Sequence, residues 1–369
     1  MSKFLPDHFD ANRTLVLIAG QGTYPILLAQ RAKSAGINLR LIELGGETSE
    51  ELINSFPTTE RSAVKVGQVG KLLKELKKFK ASYAVMAGQV TPGKLFKGLH
   101  PDLKAIRMLA GLDRRNAETI FGAIGDEVEK AGVHLLDARV FMDEDLAEEG
   151  VMVKGKEKIE DEHLAHGIEI ARENARLDVG QGVVVSRGTV LAVEAFEGTN
   201  TMLQRAGSFG AKNCLFVKLG KPSQDTRFDV PVLGLQTLQA MKDAGIGNVA
   251  VESGSVLLLN NIRIINEAKS LAIGLTGFKT WTIYKVLVSI IIINKTIDFK
   301  YFYIHKLECY DYKIQIYCLY TNSFLVSWLA RLKGKMLFVL FTEKNDWCFE
   351  IKWRQNNYKP VLGEIGFTE

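Results

Sequence analysis

The sequence is poor in the residues that would mark a stapled scaffold or a membrane span. Four cysteines in 369 residues, with no Cys-x-x-Cys pair and no regular spacing, exclude a disulfide framework or a zinc ribbon. The longest nearly uncharged apolar run, residues 286–294, is far short of the roughly 18–20 residues that cross a bilayer as a helix. The opening MSKFLPDHFDANRT has no apolar h-region, so no secretory signal is expected there. No Gly-Lys-Ser/Thr follows a glycine run, and neither His-Glu-x-x-His nor Gly-x-Ser-x-Gly occurs. P-loop, zincin and hydrolase-elbow chemistries therefore lack support. What is present is 47% hydrophobic and 24% charged residues, the balance of a globular chain, at a length that allows two domains or three.

The net charge of +5 comes from one end. Residues 279–369 hold 13 Lys/Arg against 8 Asp/Glu, which leaves 34 of each before them. The body is neutral, and a nucleic-acid partner, which needs a basic face, is not expected. Composition also breaks near Phe278. All four Trp, eight of ten Tyr and three of four Cys lie beyond it, with only three of 33 Gly. No sustained helical or strand period runs through this segment. Three readings stand for this atypical carboxy-terminal tail: a third domain or membrane-surface module, a spurious or disordered extension, or a family-specific appendage.

The first half (residues 1–142) alternates strand and helix. The apolar run at 14–18 leads into Ala-Gly-Gln-Gly-Thr-Tyr-Pro, and Pro25 opens an amphipathic stretch that stops at Gly36. Val69, Leu72, Leu73 and Leu76 recur on one face of a lysine-rich helix. The string YAVMAGQVTP repeats the strand-then-glycine pattern. Such alternation predicts a Rossmann-like parallel sheet with ligands at the strands' carboxyl ends. The charged stretch 143–162 reads as a linker. The second half (163–278) predicts a mixed α/β domain with a hairpin turn at Arg187-Gly188.

Two groups of residues could carry chemistry. The turns Gly20-Gln21-Gly22 and Gly88-Gln89 either seat an anion on backbone N–H groups or are simply tight βα turns. The dinucleotide fingerprint is incomplete, because its third glycine is missing. In the second half, Asp178, Gln181, Glu194, Glu197, Lys218, Lys221, Asp225, Arg227 and Asp229 fall in loops at strand ends. They are either surface salt bridges and turn residues, or a set in which carboxylates hold a hard cation while Lys/Arg neutralise phosphate. Asp229, between Phe228 and Val230-Pro231, is expected to be held rigidly and partly shielded.

Four strings in order, IAGQGTYP, YAVMAGQVTP, RLDVGQGVVVSRGTVLAVEAFEGTN and VKLGKPSQDTRFDVPVLGLQT, resemble the LpxI family of UDP-2,3-diacylglucosamine pyrophosphatases over residues 14–278. The resemblance implies hydrolysis of UDP-2,3-diacylglucosamine to UMP and 2,3-diacylglucosamine 1-phosphate (lipid X) in lipid A synthesis. It implies a requirement for Mg2+, with the substrate between two domains at the cytoplasmic side of the inner membrane. Carried onto this chain, it makes Asp229 the catalytic or magnesium-binding carboxylate. It implies substrate contacts at Gly20, Gln21, Gly22, Gly88, Gln89 and Val90. Further contacts fall on Asp178, Gln181, Gly182, Glu194, Glu197, Gly198, Thr199, Lys218 and Lys221. Arg227 would join the lysines in neutralising phosphate charge. The family often has glycine where this chain has Gln21. Peripheral membrane contact is expected, and homo-oligomerisation is left open. The alternatives are a non-catalytic sugar-nucleotide-binding module and a dinucleotide oxidoreductase.

Overall fold

The computed structural model describes residues 2–90, 101–113, 116–222 and 224–279, with the backbone of four further strands between 305 and 341. Thr91 and Pro92 of the second glycine string, and most of 279–369, lie outside the described residues.

In the first half, β1 (Thr14–Ala19), β2 (Leu39–Leu44), β3 (Arg61–Val64), β4 (Ala81–Ala87) and β5 (His134–Leu135) form a parallel sheet in the order β3-β2-β1-β4-β5. The run at 14–18 is apolar throughout because both faces of β1 are covered. Leu15, Leu17 and Ala19 enter one core, and Val16 and Ile18 the other. Helix α1 (Tyr24–Ser34) supplies Leu28, Ala29 and Ala32 to the first core. Helix α3 (Val69–Lys78) supplies Leu72 and Leu76 to the second, and α5 (Ala117–Lys130) supplies Val128. Between them in sequence lie α2 (Glu50–Asn54) and α4 (Leu103–Ala110). The chain leaves β1 toward β2 on one side and returns to β4 on the other. The carboxyl ends of β1 and β4 therefore flank the switch point where open α/β sheets bind ligands.

The second half is a mixed sheet. It contains β6 (Gly150–Val153), β7 (Gly182–Ser186), β8 (Thr189–Val193), β9 (Cys214–Lys218), β11 (Asn248–Glu252) and β13 (Gly274–Phe278), in the order β6-β13-β11-β9-β7-β8. Strands β9, β11 and β13 are parallel, and β7–β8 is the hairpin expected at Arg187-Gly188. Helix α6 (Asp161–Arg176) covers one face. Helices α7 (Thr199–Gly207), α8 (Leu235–Asp243) and α9 (Asn261–Ser270) cover the other.

The stretch 143–162 departs from a linker. It holds β6, which pairs antiparallel with β13, and a buried Asp145. Asp145 lies 2.6 Å from Arg31 of α1 and accepts the backbone N–H of Asn261 at 3.0 Å. Charge alone misread an edge strand, because β6 is only four residues long, Gly-Val-Met-Val, and lies between charged segments. The halves share a core. Leu146 and Leu257 are buried among first-half residues, and β10 (Val232–Leu233) pairs with β12 (Leu257–Leu258) beside them. Residues Met1–Tyr284 accordingly form one compact unit.

Within the second unit, Lys285–Glu369, four strands form an antiparallel meander: His305–Cys309, Ile314–Tyr320, Val326–Leu332 and Lys335–Phe341. Strand alternation is hidden here because residues favoured in strands, Ile, Tyr, Val and Phe, occupy neighbouring positions as well as alternate ones.

Candidate active site at the junction of the two halves

The two glycine turns close on each other. Gln21 N–H donates to the Gln89 carbonyl at 2.7 Å, and Gln89 N–H returns to Gln21 at 3.2 Å. A Cβ on Gly20 would sit 2.4 Å from the Gln89 carbonyl oxygen, and one on Gly88 would sit 2.6 Å from that of Gln21. Glycine is required at these two positions by contact between the turns themselves. The Gln21 side-chain amide donates to buried Glu47 at 2.7 Å. Gly22 and Gln89 are exposed on this edge, and Val90 is half-buried. Gly20→Ala is expected to destabilise the fold by about 1–3 kcal/mol through overpacking. Urea melts should register that loss.

The second set is built by the loop between β9 and β10. The Thr226 carbonyl accepts Ala138 N–H at 2.7 Å. Phe228 stacks near Phe121 of α5 at 5.9 Å between centroids, and Val230 packs into the core beneath α1. The apolar neighbours of Asp229 thus anchor the loop to the first half, as expected of a rigidly held carboxylate. Gln181 Nε2 reaches Asp229 Oδ2 at 3.4 Å, and Asp229 N–H donates to the Asp225 carbonyl. Burial pushes the Asp229 carboxyl above the usual carboxylate range. The Lys221 charge, a Gln224 hydrogen bond and the Lys218 charge pull it back only in part, and Asp178 adds to the rise.

Lys221 Nζ lies 2.5 Å from Asp178 Oδ1 and 3.9 Å from Glu118 of α5. Burial alone favours its neutral amine, but the hydrogen bond to Asp178 and the charges of Asp178, Asp229 and Glu118 outweigh this and raise its pKa. Asp178 follows α6 with a φ of +57°, a left-handed position where glycine is the usual residue. Aspartate is tolerated there, and it places a carboxylate at the junction.

Lys218 is buried at the end of β9, opposite Gly182, and donates to Thr199 Oγ1 at 2.9 Å. Thr199 Oγ1 in turn donates to Glu194 Oε1 at 2.7 Å, while Glu194 Oε2 is buried with no hydrogen-bond partner. Gly198 caps α7 without a side chain, and the first turn of α7 carries no acid. Its positive end therefore adds to the Lys218 charge and suits an anion.

Two expected site residues are engaged elsewhere. Arg227 makes a two-pronged pair with Asp225 and reaches Asp126 of α5 at 3.2 Å. Its guanidinium clamps the halves together and shares its charge between these two carboxylates. Burial favours the neutral Asp225 acid, but Arg227's hydrogen bonds and charge outweigh this and leave its pKa lowered. Glu197 pairs with Arg205 at 2.5 Å, which fixes the start of α7. Sequence reading missed Glu118 and Gln224, which belong to the Lys221–Asp229 group. An acid in the first turn of a helix is ordinary, and only the tertiary contact distinguishes it.

Residues 14–145 match the family model of the LpxI N-terminal domain, and residues 148–276 match that of the LpxI C-terminal domain. A protein of Caulobacter vibrioides named UDP-2,3-diacylglucosamine pyrophosphatase LpxI is 32% identical over 279 residues, covering 72% of this chain and 97% of the relative. With both domain models matched in order across the unit that holds the two sheets, the chain belongs to the LpxI family.

Proposed function

We propose that the chain hydrolyses the pyrophosphate bond of UDP-2,3-diacylglucosamine, giving UMP and 2,3-diacylglucosamine 1-phosphate (lipid X). The observation that carries this reading is the placing of Lys221 between Asp178 of the second half and Glu118 of the first, on the same loop as Asp229, where the two halves of an LpxI-family chain join. Water adds across the anhydride and one P–O bond of the bridge breaks. Asp229, stiffened by its docked neighbours and Gln181, orients the attacking water through a hydrogen bond. Lys218, Lys221 and the positive end of α7 neutralise the charge that builds on the departing phosphate. Lys218 has three N–H donors. Thr199 takes one of them, which leaves donors for phosphate oxygens.

Magnesium fits this donor set in kind. Mg2+ is commonly held by one or two carboxylates together with substrate phosphates and water. Asp229 would hold it, with the unpartnered oxygen of Glu194 as a second candidate. Among the described residues no three acid, His or Cys groups converge on a ready-made metal site, so phosphate oxygens would complete the shell. When bound, the ion supplies charge to polarise a phosphoryl oxygen. Gly20, Gln21, Gly22, Gly88, Gln89 and Val90 edge the switch point of the first sheet and form the proposed nucleotide side.

The substrate carries two acyl chains, so the proposed setting is the cytoplasmic face of the inner membrane, by peripheral contact. Among the described residues no helix is long and apolar enough to cross a membrane. Incubating the purified full chain with UDP-2,3-diacylglucosamine tests the reading. UMP and lipid X should appear with Mg2+ and fail to appear with a chelator. Saturable binding without UMP would instead identify a non-catalytic sugar-nucleotide module.

A further inference from the structure

The first turn of α5 belongs to the first half of the chain, yet it reaches into the second half's site. Asn116 caps α5 by accepting Thr119 N–H at 2.9 Å, and its Nδ2 donates to Asp178 Oδ2 at 3.4 Å. Two residues on, Glu118 is half-buried and lies 3.9 Å from Lys221 Nζ, an ion pair across the two halves. Further along the same face, Phe121 stacks near Phe228 and Asp126 reaches Arg227. Residues 118, 121 and 125 fall on one helical stripe, and a Cβ on Gly125 would already lie 3.5 Å from the Arg227 guanidinium carbon. The whole stripe presses on the loop that carries Asp229.

We propose that Glu118 is a positioning residue. It holds the Lys221 ammonium in place from the opposite half, so the lysine is set for phosphate only while the halves are packed together. The chemistry is direct. A lysine side chain is a flexible stem with a point charge and settles only where acceptors fix it. Asp178 supplies the hydrogen-bond acceptor from the second half, and Glu118 adds a second negative charge from the first, 3.9 Å from the ammonium. Without Glu118, Lys221 keeps its acids from the second half alone, exposed Asp178 and the Asp229 charge, and its head is free to swing from the phosphate position. This inference rests on the hydrolase reading and adds to it the reason that the site needs both halves.

A double-mutant cycle tests it, with UMP release from UDP-2,3-diacylglucosamine as the readout and unfolding followed in parallel. Glu118→Ala is expected to lower kcat/KM about tenfold in the native background and less than about twofold in a Lys221→Met background, since coupled neighbours are not additive. Most of the loss should fall on kcat, because the lysine's work is in the transition state. Glu118→Gln keeps the size and an oxygen facing the ammonium and should recover to within about threefold of native. If Glu118→Ala does not fold, the same cycle run with Glu118→Lys, which repels Lys221, decides the matter. Equal losses in both backgrounds, or native kcat/KM in Glu118→Ala, would overturn the proposal. Native enzyme that releases no UMP would show instead that the hydrolase reading itself is wrong.

Discussion

Asp229→Asn is expected to lower turnover by about 10²–10⁴-fold, the range lost with a positioned proton-handling group. The fold should survive, and lipid binding should change little. The substitution keeps the shape and leaves Phe228 and Val230 docked on the first half. It removes only the charge that orients water and would face the cation. The stability side has a definite sign. Burial raises the folded-state pKa of Asp229 above its unfolded value even after the nearby lysines have acted. The contribution of such a group is fully present below the unfolded pKa, roughly 4, and is lost as pH rises through the folded value. At neutral pH the native carboxylate therefore weakens the fold, and Asn does not carry that burden. Thermal melts should give equal Tm near pH 4 and a higher Tm for the variant near pH 7. Near-native UMP release from Asp229→Asn would remove this residue from the reaction.

Lys218→Met is expected to lower kcat by about 10²–10³-fold, the loss typical of one preorganised group that stabilises developing negative charge. Lys218 is 6% exposed and has Thr199 as its partner. A charge held this deep, with so few acceptors, meets phosphate undiminished by solvent. Methionine fills the same stem volume, so unfolding midpoints should hold or rise. Lys218→Arg should not restore activity, because a planar fork does not fit a point-charge site. A methionine variant with full kcat would assign the phosphate charge to Lys221 and α7 alone.

These expectations lean unequally on sequence and on structure. The glycine strings located both turns, and the hydrophobic runs located the strands behind them. The sequence did not disclose that Gly20 and Gly88 face each other, because that follows from β4 pairing directly with β1 although β2 and β3 come between them in the chain. Asp229 stood out from its apolar neighbours, and the structure shows what those neighbours do. Arg227 stood out equally by type and spacing, yet its charge is taken by Asp225 and Asp126. Residue 126 is about a hundred positions away in sequence, so no local pattern could reveal the clamp. Stretch 143–162 misled for a related reason. An edge strand and a buried Asp145 look like solvated linker until Arg31 and Asn261 are placed beside them.

The sequence by itself determined the alternation of strands and helices, the two glycine turns, the rigid context of Asp229 and the family. These depend on local spacing and side-chain type, and such information is carried by neighbours in the chain. Only the tertiary structure decided which charges meet. It set Lys221 among acids from both halves, withdrew Arg227 into a clamp and brought Glu118 to the site. Charges act through space, and the distances that set their strength are fixed only when the two sheets pack.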